Sequence, residues 1–190
     1  MSRMSKQRCE WCTSDPLYQH YHDHEWGRPV HDDRMLFELL TLEGAQAGLN
    51  WLTVLKKREG YRAAFDNFDA EKIACYDQEK IETLMTDSNI IRNRMKIYSA
   101  VNNARRYLKI IDQFGSFNDF IWKFVDFVPK NNQWLTQVEV PTISTESKIM
   151  SNELKKHKFS FIGPTICYAY MQSIGMVNDH TKKCFLYHDN

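Results

Sequence analysis

Apolar residues recur at helical spacing along nearly the whole chain, and this pattern excludes most folds. MLFELLTL, WLTVLKKREGYRAAF, EKIETLM, MKIYSAVNNARRYLKII, FNDFIWKFV, SKIMSNELKKH and TICYAYMQSI each follow a period near 3.6 residues or are apolar enough to form buried helices. No stretch alternates apolar and polar residues for long enough to form a half-buried strand. The expected fold class is therefore all-α. Helix-start signals agree: Asp33 precedes MLFELL, Asn50 precedes WLTVL, Asp69 precedes AEKIA, and Ser116 with Asp119 has the spacing of a capping box. VPKNNQWLTQVEVPTIS, from Val128 to Ser144, reads as the clearest loop.

A chain of 190 residues can bury a self-sufficient core, so a single domain over 1–190 is expected, folded in one or two lobes around a cleft. The five cysteines are odd in number, MSRMSKQR lacks a secretory apolar core, and no apolar run approaches membrane-spanning length. These features predict a cytoplasmic protein with reduced thiols and no membrane partner. The net charge of +1 points to no partner, but its distribution is uneven. Between Asn89 and Ile111 the chain carries Arg92, Arg94, Lys96, Arg105, Arg106 and Lys109 with no acidic residue. Such a run forms either a solvated helix face or a surface for phosphates.

Two clusters carry metal-ligand chemistry. MVNDHTKKC places His180 four residues before Cys184, one turn apart if the segment is helical. CEWCTSDPLYQHYHDHEW packs Cys9, Cys12, His20, His22 and His24 near the other terminus. Cys9 and Cys12 could complete a tetrahedron with His180 and Cys184, and His22, His20 or His24 compete for a place. Spacing does not choose among these sets. The plainer alternative makes His180 a helix cap and Cys184 a small core residue.

Five aromatic residues, Trp11, Tyr18, Tyr21, Trp26 and Trp51, flank one carboxylate, Glu43, in LEGAQAGLNW. Aromatics in a helical chain usually pack in the core. Glu43 is less easily dismissed. Leu42, Ala45, Ala47, Gly48 and Leu49 describe a close-packed region, where a carboxylate requires a partner or a ligand.

Cys9-x-Trp11, DPLYQHYHDHEWG, LEGAQAGLNWLTVLKKREGYRAAF, IIRNRMKI, FIGPTICYAYMQSIGMVNDH and the terminal His-x-x-x-Cys run from Cys9 to Cys184. With these motifs the chain resembles the bacterial 3-methyladenine DNA glycosylase I family. The resemblance implies an all-helical branch of the helix-hairpin-helix glycosylase superfamily. It also implies one structural zinc joining the termini, with ligands at Cys9, His22, His180 and Cys184. Four protein ligands would leave no open position for an activated water. The implied function is DNA base-excision repair: a monomer flips 3-methyladenine out of alkylated double-stranded DNA and releases it by hydrolysis. An abasic site is left, with no lyase step.

By position in the family's motifs, Glu43 becomes the catalytic residue, with Tyr21 and Trp51 as the leading base contacts. Trp11, Tyr18 and Trp26 become supporting pocket walls. Glu43 would accept hydrogen bonds from the exocyclic amino group of the methylated adenine, and its charge would favour a cationic base. Whether it also orients the attacking water stays open. The superfamily's usual catalytic aspartate has no counterpart here. Alkylation at N3 makes the base cationic and weakens the glycosidic bond, so positioning and desolvation can replace a strong general base. DSNIIRNRMKI is expected to form a hairpin at Ser88 to Asn93 between two helices, with Arg92, Arg94 and Lys96 on phosphates. Asn89 stands where glycine is often needed and is expected to tolerate left-handed backbone there. Two other classes remain open at this point. One is a zinc-clasped nucleic-acid-binding module without catalysis, and the other is a metalloenzyme with an open zinc on His20, His22 or His24.

Overall fold

A computed structural model describes residues 6–187. Ten α-helices account for most of them: α1 Pro16–His24, α2 Asp33–Gln46, α3 Trp51–Leu55, α4 Arg58–Ala64, α5 Ala70–Ala74, α6 Gln78–Thr86, α7 Arg94–Phe114, α8 Phe117–Trp122, α9 Thr145–Lys156 and α10 Pro164–Ser173. Two-residue strands, β1 Lys130–Asn131 and β2 Val177–Asn178, pair in parallel. The architecture is all-α, as the periodicity predicts.

Helix α2 is the axis of the molecule. Every residue from Leu36 to Ala45 is buried, so its apolar surface runs all round rather than along one stripe. α7, α8 and α10 pack around it, and Leu36, Phe37, Phe117, Trp122, Tyr170 and Met171 are fully enclosed. A buried helix of this kind has little room for a charged side chain, and Glu43 lies inside the enclosed stretch.

Local signals set most boundaries. Asn50 accepts from the Thr53 amide, Asp69 from those of Glu71 and Lys72, and Ser116 from that of Asp119, as expected. Asp33 differs from expectation: the N-cap of α2 is Asp32, which accepts from the Met35 amide. Asp33 instead accepts from the Phe117 and Asn118 amides, satisfying the start of α8. WLTVLKKREGYRAAF is two helices rather than one, broken at Lys56 and Lys57. Both lysines are used elsewhere, Lys56 paired with Asp15 at 2.8 Å and Lys57 donating to the Ser88 carbonyl at 2.6 Å.

The chain from Val128 to Ser144 is irregular, as predicted, but it is anchored. β1 pairs with β2, a 3-10 turn covers Gln137–Glu139, and the Trp134 carbonyl accepts from the Lys182 amide at 2.9 Å. The segment that carries His180 and Cys184 is a succession of turns after β2, so the two residues do not share a helix face. The turn joining α6 to α7 spans residues 87–93, where the sequence placed a hairpin. Asn89 is not left-handed there.

Candidate functional site

The two ends of the described chain meet. Cys9, His22, His180 and Cys184 are all buried, and one ligand atom from each lies within 4.8 Å of the others. The Cys9 and Cys184 sulfurs are each 3.5 Å from His180 Nδ1, and Cys184 Sγ is 3.5 Å from His22 Nε2. A tetrahedral ion bonded to sulfur at ~2.3 Å and to nitrogen at ~2.0 Å sets sulfur-to-nitrogen edges of ~3.5 Å. Three edges of the donor set therefore already have the length that a tetrahedral ion would set.

The groups behind the four donors favour the same arrangement. His22 Nδ1 faces Asp23 Oδ1 at 2.9 Å, and His180 Nε2 faces the Trp26 carbonyl at 3.3 Å. Each outer nitrogen then carries the proton and leaves the inner nitrogen's lone pair facing the sulfurs. Arg8 holds Asp23 through two 2.7 Å hydrogen bonds, which fixes the His22 ring in turn. Cys12 lies outside the group, with its sulfur against the Thr13 and Tyr18 carbonyls. His20 and His24 are exposed, their rings tilted against each other with centroids 4.5 Å apart. The structure thus brings together the four residues that the resemblance implied and separates the three that competed on spacing.

Beside this cluster, α1, α2, α3 and α10 enclose a cavity of about 220 Å³. That is below the roughly 300–1,000 Å³ of a drug-sized ligand site, and suits a small flat molecule. Trp11, Tyr18, Tyr21, Trp26, Glu43 and Trp51 all line it. The rings meet at an angle: Trp11 lies 4.9 Å from both Tyr18 and Trp26, and Tyr21 lies 5.5 Å from Trp51. Tyr21 and Trp26 belong to α1 and its terminal turn, while Trp51 opens α3 directly after the α2 carboxyl end. Four residues that the sequence reading did not single out complete the wall: Gln46, Gln137, Ala169 and Gln172. Gln46 follows Glu43 by three positions on one helix, a spacing that could have found it; the others arrive from distant segments.

The polar atoms of the cavity are its distinguishing property. Among the described residues, four buried side-chain nitrogen or oxygen atoms lack a hydrogen-bond partner: Trp11 Nε1, Glu43 Oε2, Trp51 Nε1 and Gln137 Oε1. All four belong to residues lining this cavity. An unpaired buried polar atom costs about 1–3 kcal/mol, so four at one place mark groups held ready for a ligand. Burial pushes the Glu43 carboxyl up to about 8, and the Ser173 hydroxyl partly offsets it. A larger groove of about 560 Å³ lies between α6, α7 and Ser160–Phe161. None of the unpaired buried atoms lies there, and it reads as surface relief.

The basic run is divided rather than gathered. Lys96 donates to the Ala45 and Ala47 carbonyls at 2.7 and 2.6 Å, closing the carboxyl end of α2. Arg94 is paired in bidentate fashion with Glu82, Arg105 donates to the Ala74 carbonyl, and Arg106 donates to Asn102. Arg92, in the turn before α7, is exposed and has no ion pair among the described residues.

A helical protein with an aromatic-walled cavity lined by unpaired donors and acceptors and by a buried carboxylate belongs to the class that binds a small polar aromatic ring. Comparison makes this specific. The family model described as methyladenine glycosylase matches residues 11–187, and the chain belongs to that family. It is 49% identical over 184 residues to DNA-3-methyladenine glycosylase 1 of Escherichia coli, covering 97% of this chain and 98% of that one. The DNA-3-methyladenine glycosylase of Haemophilus influenzae is 48% identical over 177 residues, covering 93% of this chain and 96% of the other. Among solved structures, a crystal structure of 3-methyladenine DNA glycosylase I superposes with a TM-score of 0.93 at 49% identity, covering 94% of this chain and 98% of that one. The Staphylococcus aureus enzyme, solved for the structural basis of 3-methyladenine recognition, gives 0.91 at 40% identity, covering 94% and 95%.

Proposed function

We propose that the protein is a DNA-3-methyladenine glycosylase of base-excision repair, and that the cavity between α1, α2, α3 and α10 receives the flipped base. The carrying observation is that every buried unpaired side-chain polar atom among the described residues belongs to the lining of this one aromatic cavity. An enzyme acting on a base must take it out of the stack, hold it between apolar faces and read its edge, and these are the parts supplied. Trp51 and Tyr21 provide the stacking surface, with Trp11, Tyr18 and Trp26 behind it. Glu43 accepts a hydrogen bond from the exocyclic amino group.

Among the described residues, Glu43 is the only charged one that lines the cavity. Alkylation at N3 leaves a positive charge on the base in DNA, and a carboxylate in a desolvated pocket attracts that form over an ordinary adenine. As the glycosidic bond breaks, its electron pair goes to the base and the positive charge moves to the sugar. The Coulomb attraction to the base is therefore stronger before cleavage than after it. Glu43 accordingly contributes to selecting and extruding the damaged nucleotide more than to the bond-breaking step. Water completes the hydrolysis and leaves an abasic site. The lining among the described residues contains no lysine that could form a covalent imine, so the reading is of hydrolysis without strand cleavage.

The Cys9, His22, His180 and Cys184 cluster fits one structural zinc. Two thiolates and two imidazoles satisfy a tetrahedron, so the ion would hold the amino-terminal wall of the cavity to the chain end rather than activate water. The turn between α6 and α7 is the surface for double-stranded DNA, reached through exposed Arg92 and the start of α7 in the manner of a helix-hairpin-helix.

The test is chromatographic analysis of bases released from methylated duplex DNA. Release of 3-methyladenine with intact strands is expected, and absence of any released base would overturn the reading. Trp51→Ala should weaken binding of free 3-methyladenine by about 1–3 kcal/mol through lost stacking.

A further inference from the structure

We infer that Gln137 is a specificity residue: its amide oxygen is a second acceptor for the exocyclic amino group of the base, facing the cavity beside Glu43. This rests on the glycosylase reading above and adds a contact from a segment outside the helices that build the pocket. Gln137 Oε1 is shut off from solvent without a hydrogen-bond partner, although Gln137 begins a 3-10 turn at the surface. Its neighbour Val138 is 93% exposed, so the turn directs one side chain inward and the next outward.

A polar atom on a mobile loop would carry little specificity, but this turn is fixed from several sides. Asp179 is fully buried and accepts from Asn132 Nδ2 and Trp134 Nε1 through one oxygen, each at 2.7 Å. Its other oxygen accepts from Tyr168 Oη and Gln172 Nε2, also at 2.7 Å. One carboxylate thus ties the segment leading to Gln137 to the α10 wall of the cavity. Within the turn, Glu139 accepts from the Leu135 amide at 3.0 Å and from the Thr136 hydroxyl at 3.2 Å. The turn that carries Gln137 is held in place before any ligand arrives, which lowers the ordering cost of binding.

The chemistry of the base completes the argument. An exocyclic amino group carries two hydrogens, and one carboxylate oxygen can take only one of them in good geometry. Glu43 Oε2 and Gln137 Oε1 are two unpaired acceptors in one cavity, so together they satisfy both. A ring bearing a carbonyl at that position would set oxygen against two oxygens and leave them unpaired. Gln137 therefore sharpens the preference for an adenine-type over a guanine-type base.

The experiment titrates wild-type protein and Gln137→Met, a variant of similar length without the amide, with two free bases. One is 3-methyladenine and the other is 3-methylpurine, which lacks the amino group, both followed by chemical-shift changes up to millimolar concentration. Gln137→Met is expected to weaken 3-methyladenine about three- to ten-fold, as for one hydrogen bond, and to leave 3-methylpurine unchanged. Equal weakening of both bases would make Gln137 a shaping residue only, and unchanged affinity for 3-methyladenine would remove it from the site. Either result overturns the inference. Wild-type protein that neither binds 3-methyladenine nor releases it from methylated DNA would instead overturn the glycosylase reading itself.

Discussion

At the scale of single residues, Glu43 carries the sharpest expectations. Its carboxyl is raised above the ordinary value to about 8 by burial, so the folded protein retains a proton that the unfolded chain gives up near pH 4.5. Folding stability should then fall as pH rises from about 4.5 to 8 and level off above, by about 1.4 kcal/mol per unit at most. Glu43→Gln carries no such proton. It should match wild type in stability at pH 4 and exceed it at pH 8.5, checked by denaturant titration at both values. Binding runs the other way. A cationic base needs the carboxylate, so wild-type affinity for an alkylated duplex should rise up to about ten-fold per pH unit between 6 and 8, and Glu43→Gln should flatten that dependence.

At the scale of elements, α4 packs directly against the α6–α7 turn. A Cβ on Gly60 would sit 2.3 Å from the Asn89 carbonyl oxygen and 2.6 Å from its Cβ. Helix propensity alone favours alanine over glycine in α4 by about 1 kcal/mol. Contact should win, and Gly60→Ala is expected to destabilise by about 1–3 kcal/mol in denaturant titration and to weaken DNA binding as the turn shifts. The basic residues separate by what they already hold. Lys96→Met leaves the Ala45 and Ala47 carbonyls without their donor, so it should lower the melting temperature and disturb the step from Glu43 to Trp51. Arg92→Ala should leave the melting temperature unchanged and reduce the salt dependence of duplex binding by about one unit of slope. A shared fate for both variants would contradict this division.

At the scale of the molecule, the Cys9, His22, His180 and Cys184 cluster ties the amino-terminal wall of the pocket to the far end of the described chain. Trp11 lies between Cys9 and the cavity, and Gly27, with φ of +75°, passes His180 so closely that a Cβ would sit 3.3 Å from Nε2. Loss of the cluster should therefore open both the amino-terminal wall and the chain end. One zinc per chain is expected by elemental analysis, and strong chelation should cost most of the stability. Cys9→Ser and Cys184→Ser should each lose the metal and unfold at far lower denaturant than Cys12→Ser, whose thiol lies outside the cluster and donates to the Thr13 and Tyr18 carbonyls. Equal tolerance of the three serine variants would remove the proposed ligand set.

Features that depend on neighbours along the chain were legible without the fold. Helical periodicity placed the major helices, and short polar residues placed the caps at Asn50, Asp69 and Ser116. Motifs long enough to carry family resemblance located Glu43, its aromatic neighbours and the four residues of the buried Cys/His cluster. Only the tertiary structure decided what depends on distance in space. Asp33 caps α8 rather than α2 because the amides of Phe117 and Asn118 come within reach only when the two helices pack. Lys96 is a cap on α2 rather than a free cation because its ammonium meets carbonyls some fifty positions away, at 2.6 and 2.7 Å. Gln137 stands in a segment with no periodicity, and Asp179, forty-odd residues later, holds that segment against the cavity. Local pattern reports backbone preference and amphipathic face, whereas a site is closed by hydrogen bonds between segments whose separation along the chain carries no signal.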